Sequence, residues 1–356
     1  MDHIPPPLPE GHSAFQETIT FTAKVPLGRK LVFWLLLGVL SVIFAEVTCA
    51  SSPYPFFDTW GLLVVTPLYT LHTLFLAGLI YKRKQVSLSS LMLAGILFGL
   101  YEALITKVIW NPTWGDTASM LGGVAWLQTS VLIFYWHPWF AFIFPLLFGE
   151  ALFTNSSEVR AALPAKFCGP KRLVWVFLLA VLIGANQGAN GGAFEKILLS
   201  TVEALAVFLL LAGEWHLISR GKEYNLRELL PRGRELVWVG VLLLLLYGLS
   251  LAFIRPEALP RAISPYAIVS ALYLVTIFAL VLSLKKAPIA LANTQIDTRR
   301  HFWRDVLGFT LVFLASSLLF LQFTKAAEIV IILSWGFGVL MGVALFMRAI
   351  WVAVKK

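Results

Sequence analysis

Ten blocks of about 20 consecutive apolar residues run through this chain, and they leave few folds open to it. They cover roughly 31–50, 60–81, 88–109, 132–153, 173–189, 194–219, 236–254, 264–284, 303–323 and 328–350. As a helix, each block crosses about 30 Å of hydrocarbon. In that layer backbone polar groups are satisfied only inside helices or closed barrels. Barrel strands would alternate polar and apolar residues over about 10 positions, and these blocks do not alternate. Composition agrees, since 59% of the 356 residues are hydrophobic and 13% charged, against about 25% charged in soluble domains. The expected fold is all-α, a polytopic transmembrane helical bundle of about ten helices. With two cysteines, Cys49 and Cys168, a disulfide scaffold is excluded.

Charge sets the expected orientation. One alternating set of loops holds 23 of the 28 Lys and Arg residues, and the other holds only Lys107, Lys196, Arg255, Arg261 and Lys325. The basic side reads as cytoplasmic, so both termini are expected inside, in the prokaryotic cytoplasmic membrane. The polar tail, rich in proline at Pro5, Pro6, Pro7 and Pro9, carries no small-residue cleavage site, so the first span reads as a retained helix rather than a signal peptide. The same count resolves 117–154 as one crossing near 132–153, because two crossings would export most later basic loops. The preceding stretch with Gly122 and Gly123 is expected to be interfacial or re-entrant. The net charge of +9 is distributed over several short loops, which points to anionic lipid headgroups and excludes a nucleic-acid patch.

Polar residues divide the chain into a tail (1–30), a six-helix half (31–219), a basic cytoplasmic loop (220–235) and a four-helix apolar half (236–356). The last four helices are almost purely apolar and read as a scaffold, a lipid-facing wall or a surface for a protein partner. The first six carry Glu46, His72, Glu102, His137, Glu150, Asn186, Gln187, Glu203, Glu214 and His216. An ionisable group inside a span costs at least about 2.5 kcal/mol on insertion scales and normally faces the bundle interior. Most of these residues fall in the outer half of the membrane, whereas Glu150, Glu214 and His216 read as headgroup-level residues near the inner face.

Helix 3 gives the sharpest local signal. Gly95 and Gly99 form a small-xxx-small pair, and Glu102 and Thr106 continue that stripe, so the carboxylate faces a closely packed helix. Lys107 is about 140° further around and is expected to snorkel to the outer interface. Glu102 and His137 are the candidate catalytic acid/base pair. Glu46 and His72 are candidate substrate-binding residues, together with Asn186, Gln187 and Asn190 in the Gly-rich end of helix 5. Five of 13 Trp lie within 110–139. Trp110, Trp114, Trp136 and Trp139 are expected to wall a vestibule for a lipid or an extended peptide, beside their ordinary role in interfacial belts. Pro138 is expected to bias His137 away from helical geometry. No pair has the spacing of a metal-ligand motif, so no metal is assigned, and the residue types name no cofactor or nucleotide site.

The order Glu102, His137, Asn186-x-x-x-Asn190 resembles the superfamily of CAAX proteases and bacteriocin-processing intramembrane proteases. That family carries Glu-Glu-x-x-x-Arg, then a His after an aromatic, then His-x-x-x-Asn. Here Ala103 replaces the second Glu, Lys107 stands for the Arg, Phe134 is three residues before His137, and Asn186 replaces the second His. The resemblance implies Glu102 as the base that activates water, with His137 and an Asn stabilising the oxyanion.

Three functions are consistent with these residues. The first is a membrane-embedded hydrolase or transferase acting on a lipid-like or peptide substrate. The second is a proton-coupled transporter or lipid-handling protein, and the third is a non-catalytic subunit that docks through helices 7–10.

Overall fold

The computed structural model describes residues 25–82, 86–114, 120–164, 172–285 and 302–355. The Pro-rich tail, Cys168, and the basic residues Lys24, Arg83, Lys84, Lys166, Lys171, Lys286, Arg299, Arg300 and Lys356 lie outside the described residues. Ten long apolar helices are present: α1 (Leu27–Val47), α2 (Gly61–Ile80), α3 (Leu88–Ile105), α4 (Trp126–Phe153), α5 (Leu173–Asn190), α6 (Phe194–Ile218), α7 (Arg234–Phe253), α8 (Ser264–Lys285), α9 (Trp303–Gln322) and α10 (Thr324–Val354). They match the ten blocks, and the 117–154 stretch contributes a single crossing.

Before that crossing, Met120–Leu121 (β1) and Val124–Ala125 (β2) pair as a minimal hairpin. Gly122 and Gly123 turn it at φ of 63° and 78°, a conformation that side chains resist. This hairpin packs against the start of α8, where a methyl group at Gly123 would meet the Pro265 ring at 2.4 Å.

Burial separates an inner group of helices from an outer one. Between 56% and 78% of the apolar stretch is buried in each of α1–α4, against 17–39% in each of α5–α10. The outer helices flank this core, with α7 on α2, α8 on α3, α10 on α4 and α5, and α9 along α5. Close approach is made possible by small residues, as expected where lipid supplies no hydrophobic drive between helices. A Cβ at Gly95 would come within 2.4 Å of Pro138 Cα, and one at Gly99 within 2.9 Å of Ile133 Cα. The helix 3 stripe therefore meets α4 at the turn that carries His137.

The face where α1 begins is closed by charged groups that find partners. Lys30 is buried and pairs with Glu235 at 2.7 Å. Arg227 pairs with Glu158 and donates to the Tyr81 carbonyl at 2.8 Å. Trp34 Nε1 donates to the Leu229 carbonyl at 2.6 Å. Glu150, expected at headgroup level, is instead 1% exposed. Its carboxylate accepts the backbone N–H groups of Glu158 (2.6 Å), Val159 (3.1 Å) and Arg160 (3.1 Å), capping the short helix Glu158–Ala162. A helix start offers unpaired donors, and a buried carboxylate satisfies them better than solvent can.

Lys107 departs from its expected place as well. Its side chain is fully buried rather than extended to the interface. Its ammonium donates to the carbonyls of Ser250 (3.1 Å), Leu251 (2.8 Å) and Ile254, at the C-terminal end of α7. In return Arg255 donates to the carbonyls of Thr106 (3.1 Å) and Asn111 (2.9 Å), beyond the end of α3. Each cation caps the neighbouring helix, where orphan carbonyls and the negative end of the dipole converge. Burial, then the nearby Arg255, holds the Lys107 pKa below the ordinary lysine value.

Candidate active site

Four inner helices bring one polar cluster together on the face opposite the start of α1. Glu46 comes from α1, Tyr69 from α2, Glu102 from α3 and His137 from α4. Both Glu46 and His137 lie in π-helical turns, Ile43–Val47 and Val131–Ile143. The wider i→i+5 register explains why Pro138 does not expel His137 from the helix as expected. Proline supplies no N–H, and a π turn gives its ring room against the preceding carbonyls. His137 thus remains helical and buried, 1% exposed.

The contacts form a chain. The Tyr69 hydroxyl donates to Glu46 Oε1 and lies 3.3 Å from His137 Nε2. His137 Nε2 is in turn 3.6 Å from Glu102 Oε2. His137 Nδ1 faces the Leu132 carbonyl at 3.3 Å. A carbonyl can only accept, so Nδ1 carries a proton and Nε2 is the nitrogen available for exchange. Glu102 Oε2 is buried without a hydrogen-bond partner among the described residues. The other Glu46 oxygen, Oε2, accepts the exposed Ser51 hydroxyl. A path of polar atoms therefore leads from the surface at Ser51 to Glu102.

Aromatic rings enclose this chain. Phe98 packs 5.3 Å from the Tyr69 ring and 5.6 Å from the His137 ring, centroid to centroid. His72 is buried behind Phe98, with ring centroids 4.6 Å apart, and its Nδ1 donates to the Leu68 carbonyl at 2.9 Å. It supports the box without touching either carboxylate. Trp136 stacks on Phe140 at 4.3 Å and donates Nε1 to the Ala45 carbonyl at 3.0 Å, beside Glu46.

The other predicted residues lie apart from this chain. Trp110 packs on Tyr266 of α8, Trp114 on Trp335 of α10, and Trp139 on Phe144. Gln187 donates to the Val47 carbonyl (3.4 Å) and to Ser200 (3.1 Å), and so abuts the end of α1. Asn190 donates to the Asn186 carbonyl at 3.0 Å. Asn186 Nδ2 is buried without a partner among the described residues. Among those residues no group of three or more His, Cys, Asp or Glu converges in a way that could hold a metal.

Comparison with known proteins places the chain in context. A family described as an uncharacterized membrane protein family matches residues 35–355. The chain belongs to this family. A curated relative from Archaeoglobus fulgidus, described as an uncharacterized protein, is 36% identical over 290 residues, covering 81% of this chain and 89% of the relative. No solved structure matches the chain. Family membership and the ten apolar helices together establish an integral membrane protein.

Two residues of the cluster, Tyr69 and Ser51, carry no distinctive signal in the sequence. Tyr69 was legible only as an aromatic in an apolar helix, and Ser51 only as a loop residue after α1. Tyr69 lies three residues before His72, but that spacing puts both on one helix face without saying which ring meets His137. Cys49, next to Ser51, has its thiol 3.0 Å from the Ala45 carbonyl. Burial, then the Glu46 charge, pushes that thiol up to about 12.

Proposed function

We propose that this protein is a membrane-embedded hydrolase acting on a lipid-like or peptide substrate, with Glu102 as general base and His137 as its partner. One observation carries the reading: a buried carboxylate oxygen with no hydrogen-bond partner among the described residues, 3.6 Å from an exchangeable imidazole nitrogen. A buried acceptor left unpaired costs about 1–3 kcal/mol, a strain typical of groups that serve chemistry. In this reading water is held between Glu102 Oε2 and His137 Nε2, and Glu102 removes its proton as the oxygen attacks a carbonyl carbon. Tyr69, anchored on Glu46, stacks beside the His137 ring and limits its movement. Asn186, assigned an oxyanion role by resemblance, makes no side-chain N–H hydrogen bond to the pair among the described residues. The site's enclosure by Phe98, Trp136 and the inner helices suits a substrate that enters from lipid. An archaeal relative and the basic loops support the prokaryotic cytoplasmic membrane, with the α1 start facing the cytoplasm.

The test uses purified protein in liposomes, in water enriched in oxygen-18, with a panel of lipid esters and membrane-tethered peptides. Incorporation of label into an acid product is expected, and Glu102→Gln should lower it at least about 100-fold while the fold survives. Equal incorporation by the variant would exclude Glu102 as base.

The continuous polar path from exposed Ser51 through Glu46, Tyr69 and His137 favours a second reading, a proton-coupled transporter. Here solute-dependent acidification of the liposome lumen, without bond cleavage, is the expected signal.

A further inference from the structure

We infer that Ser51 is a catalytic nucleophile, with Glu46 as the base that takes its proton and an ester- or amide-linked acyl group as its target. This rests on the hydrolase reading and adds a covalent step that direct attack by water lacks.

Three observations support the assignment. First, the Ser51 hydroxyl donates to Glu46 Oε2, while the opposite oxygen of the same carboxylate is held by Tyr69. A nucleophile on a base, and that base oriented by a third group, is the arrangement by which hydroxyls are activated on unrelated folds. Second, the turn that presents Ser51 is strained. Ala50 adopts φ of 59°, left-handed backbone that glycine normally supplies, with its N–H on the Val47 carbonyl at 3.1 Å. Such a residue costs about 1–3 kcal/mol and persists at sites where geometry matters. Third, Ser51 is exposed just past the end of α1, whereas Glu102 Oε2 is buried. Ser51 is therefore the first reactive atom on the path from the surface inward.

The chemistry balances without any further reagent. Ser51 Oγ attacks the substrate carbonyl carbon, the π electrons move onto the carbonyl oxygen, and Glu46 accepts the Oγ proton. Collapse breaks the bond to the leaving alcohol or amine, which departs with the proton held by Glu46. Water then attacks the acyl-serine ester as Glu46, again a carboxylate, takes one of its protons. Glu46 then returns that proton to the departing Ser51 Oγ. The net reaction adds one water across one ester or amide bond.

The experiment exposes the full chain in liposomes to an alkyl fluorophosphonate, which phosphonylates an activated serine and releases fluoride. Mass spectrometry should find one adduct, on the peptide that contains Ser51. Ser51→Ala should abolish it, and Glu46→Gln should slow it at least about tenfold. Because Ser51 is exposed, its alanine variant should keep the thermal midpoint of the parent. No adduct, or an equal rate in Ser51→Ala, overturns the assignment. The labelled-water assay separates the two readings. Turnover that survives Ser51→Ala removes the covalent step and leaves direct attack by water. A Ser51 adduct in a protein whose turnover ignores Glu102→Gln keeps the nucleophile and removes Glu102 as base.

Discussion

Two carboxylates buried in neighbouring inner helices, Glu150 in α4 and Glu102 in α3, have opposite surroundings. Glu150 accepts three backbone N–H groups and joins a closed face on which Lys30, Arg227 and Glu235 are paired. Glu102 has an oxygen with no partner among the described residues, and its neighbour on that side is an imidazole nitrogen at 3.6 Å. The first arrangement satisfies the buried carboxylate and thereby holds elements together. The second leaves hydrogen-bonding capacity for something that arrives later. In a span a charged residue is costly in either case, so the difference in partners, not the burial, distinguishes structure from chemistry.

The largest effect expected from this contrast is on stability at the satisfied site. Glu150→Ala strips one buried and two partly buried N–H donors of their acceptor, at up to about 1–3 kcal/mol each, so loss of folded protein on size-exclusion is expected. A thermal midpoint in detergent within about 2 °C of the parent would show that the closed face does not depend on that cap. Glu102→Gln should behave in the reverse sense, with turnover down at least about 100-fold and a midpoint unchanged or raised. If this variant also unfolds, the two carboxylates are alike and the contrast fails.

Gly95→Ala probes the packing that aligns Glu102 with His137. Its methyl would lie 2.4 Å from Pro138 Cα, so a destabilisation of about 1–3 kcal/mol is expected, with activity lost alongside. Lys107→Met removes the cation from the end of α7 and should cost about 1–2 kcal/mol. Its pH dependence carries a sign. With the folded pKa held below the ordinary 10.5, the unfolded chain binds the proton more tightly. The parent should therefore gain stability relative to the variant as pH climbs from the lowered value towards 10.5, and a midpoint difference that is flat or falling would refute the burial of this ammonium. The smallest effect is at Cys49. A thiol near 12 is about one part in 10,000 thiolate at pH 8, so maleimide should label the native protein far more slowly than the denatured chain.

Much of the architecture was legible before any coordinates. Gly95, Gly99 and Glu102 share a helical stripe that faces a closely packed helix as their spacing predicts, and the structure makes that helix α4 at His137. Glu46 and Glu102 were singled out because they are expensive in hydrocarbon, and both reach the cluster. Lys107 was misjudged because snorkelling and helix capping satisfy an ammonium equally well. The choice between them depends on where α7 ends, about 145 residues away. Pro138 was misjudged for a related reason, since the rule for a residue before proline assumes an α register that α4 abandons.

The amino-acid sequence by itself determined the ten crossings and which side chains would be costly to bury, because hydrophobic length and polarity are local properties of the chain. Only the tertiary structure decided that Tyr69 bridges Glu46 and His137, that Ser51 meets Glu46, and that Glu150 is satisfied while Glu102 is not. Those outcomes depend on angles and distances between helices far apart in the chain, and a hydrogen bond made or missed across a helix interface is settled by shifts smaller than 1 Å.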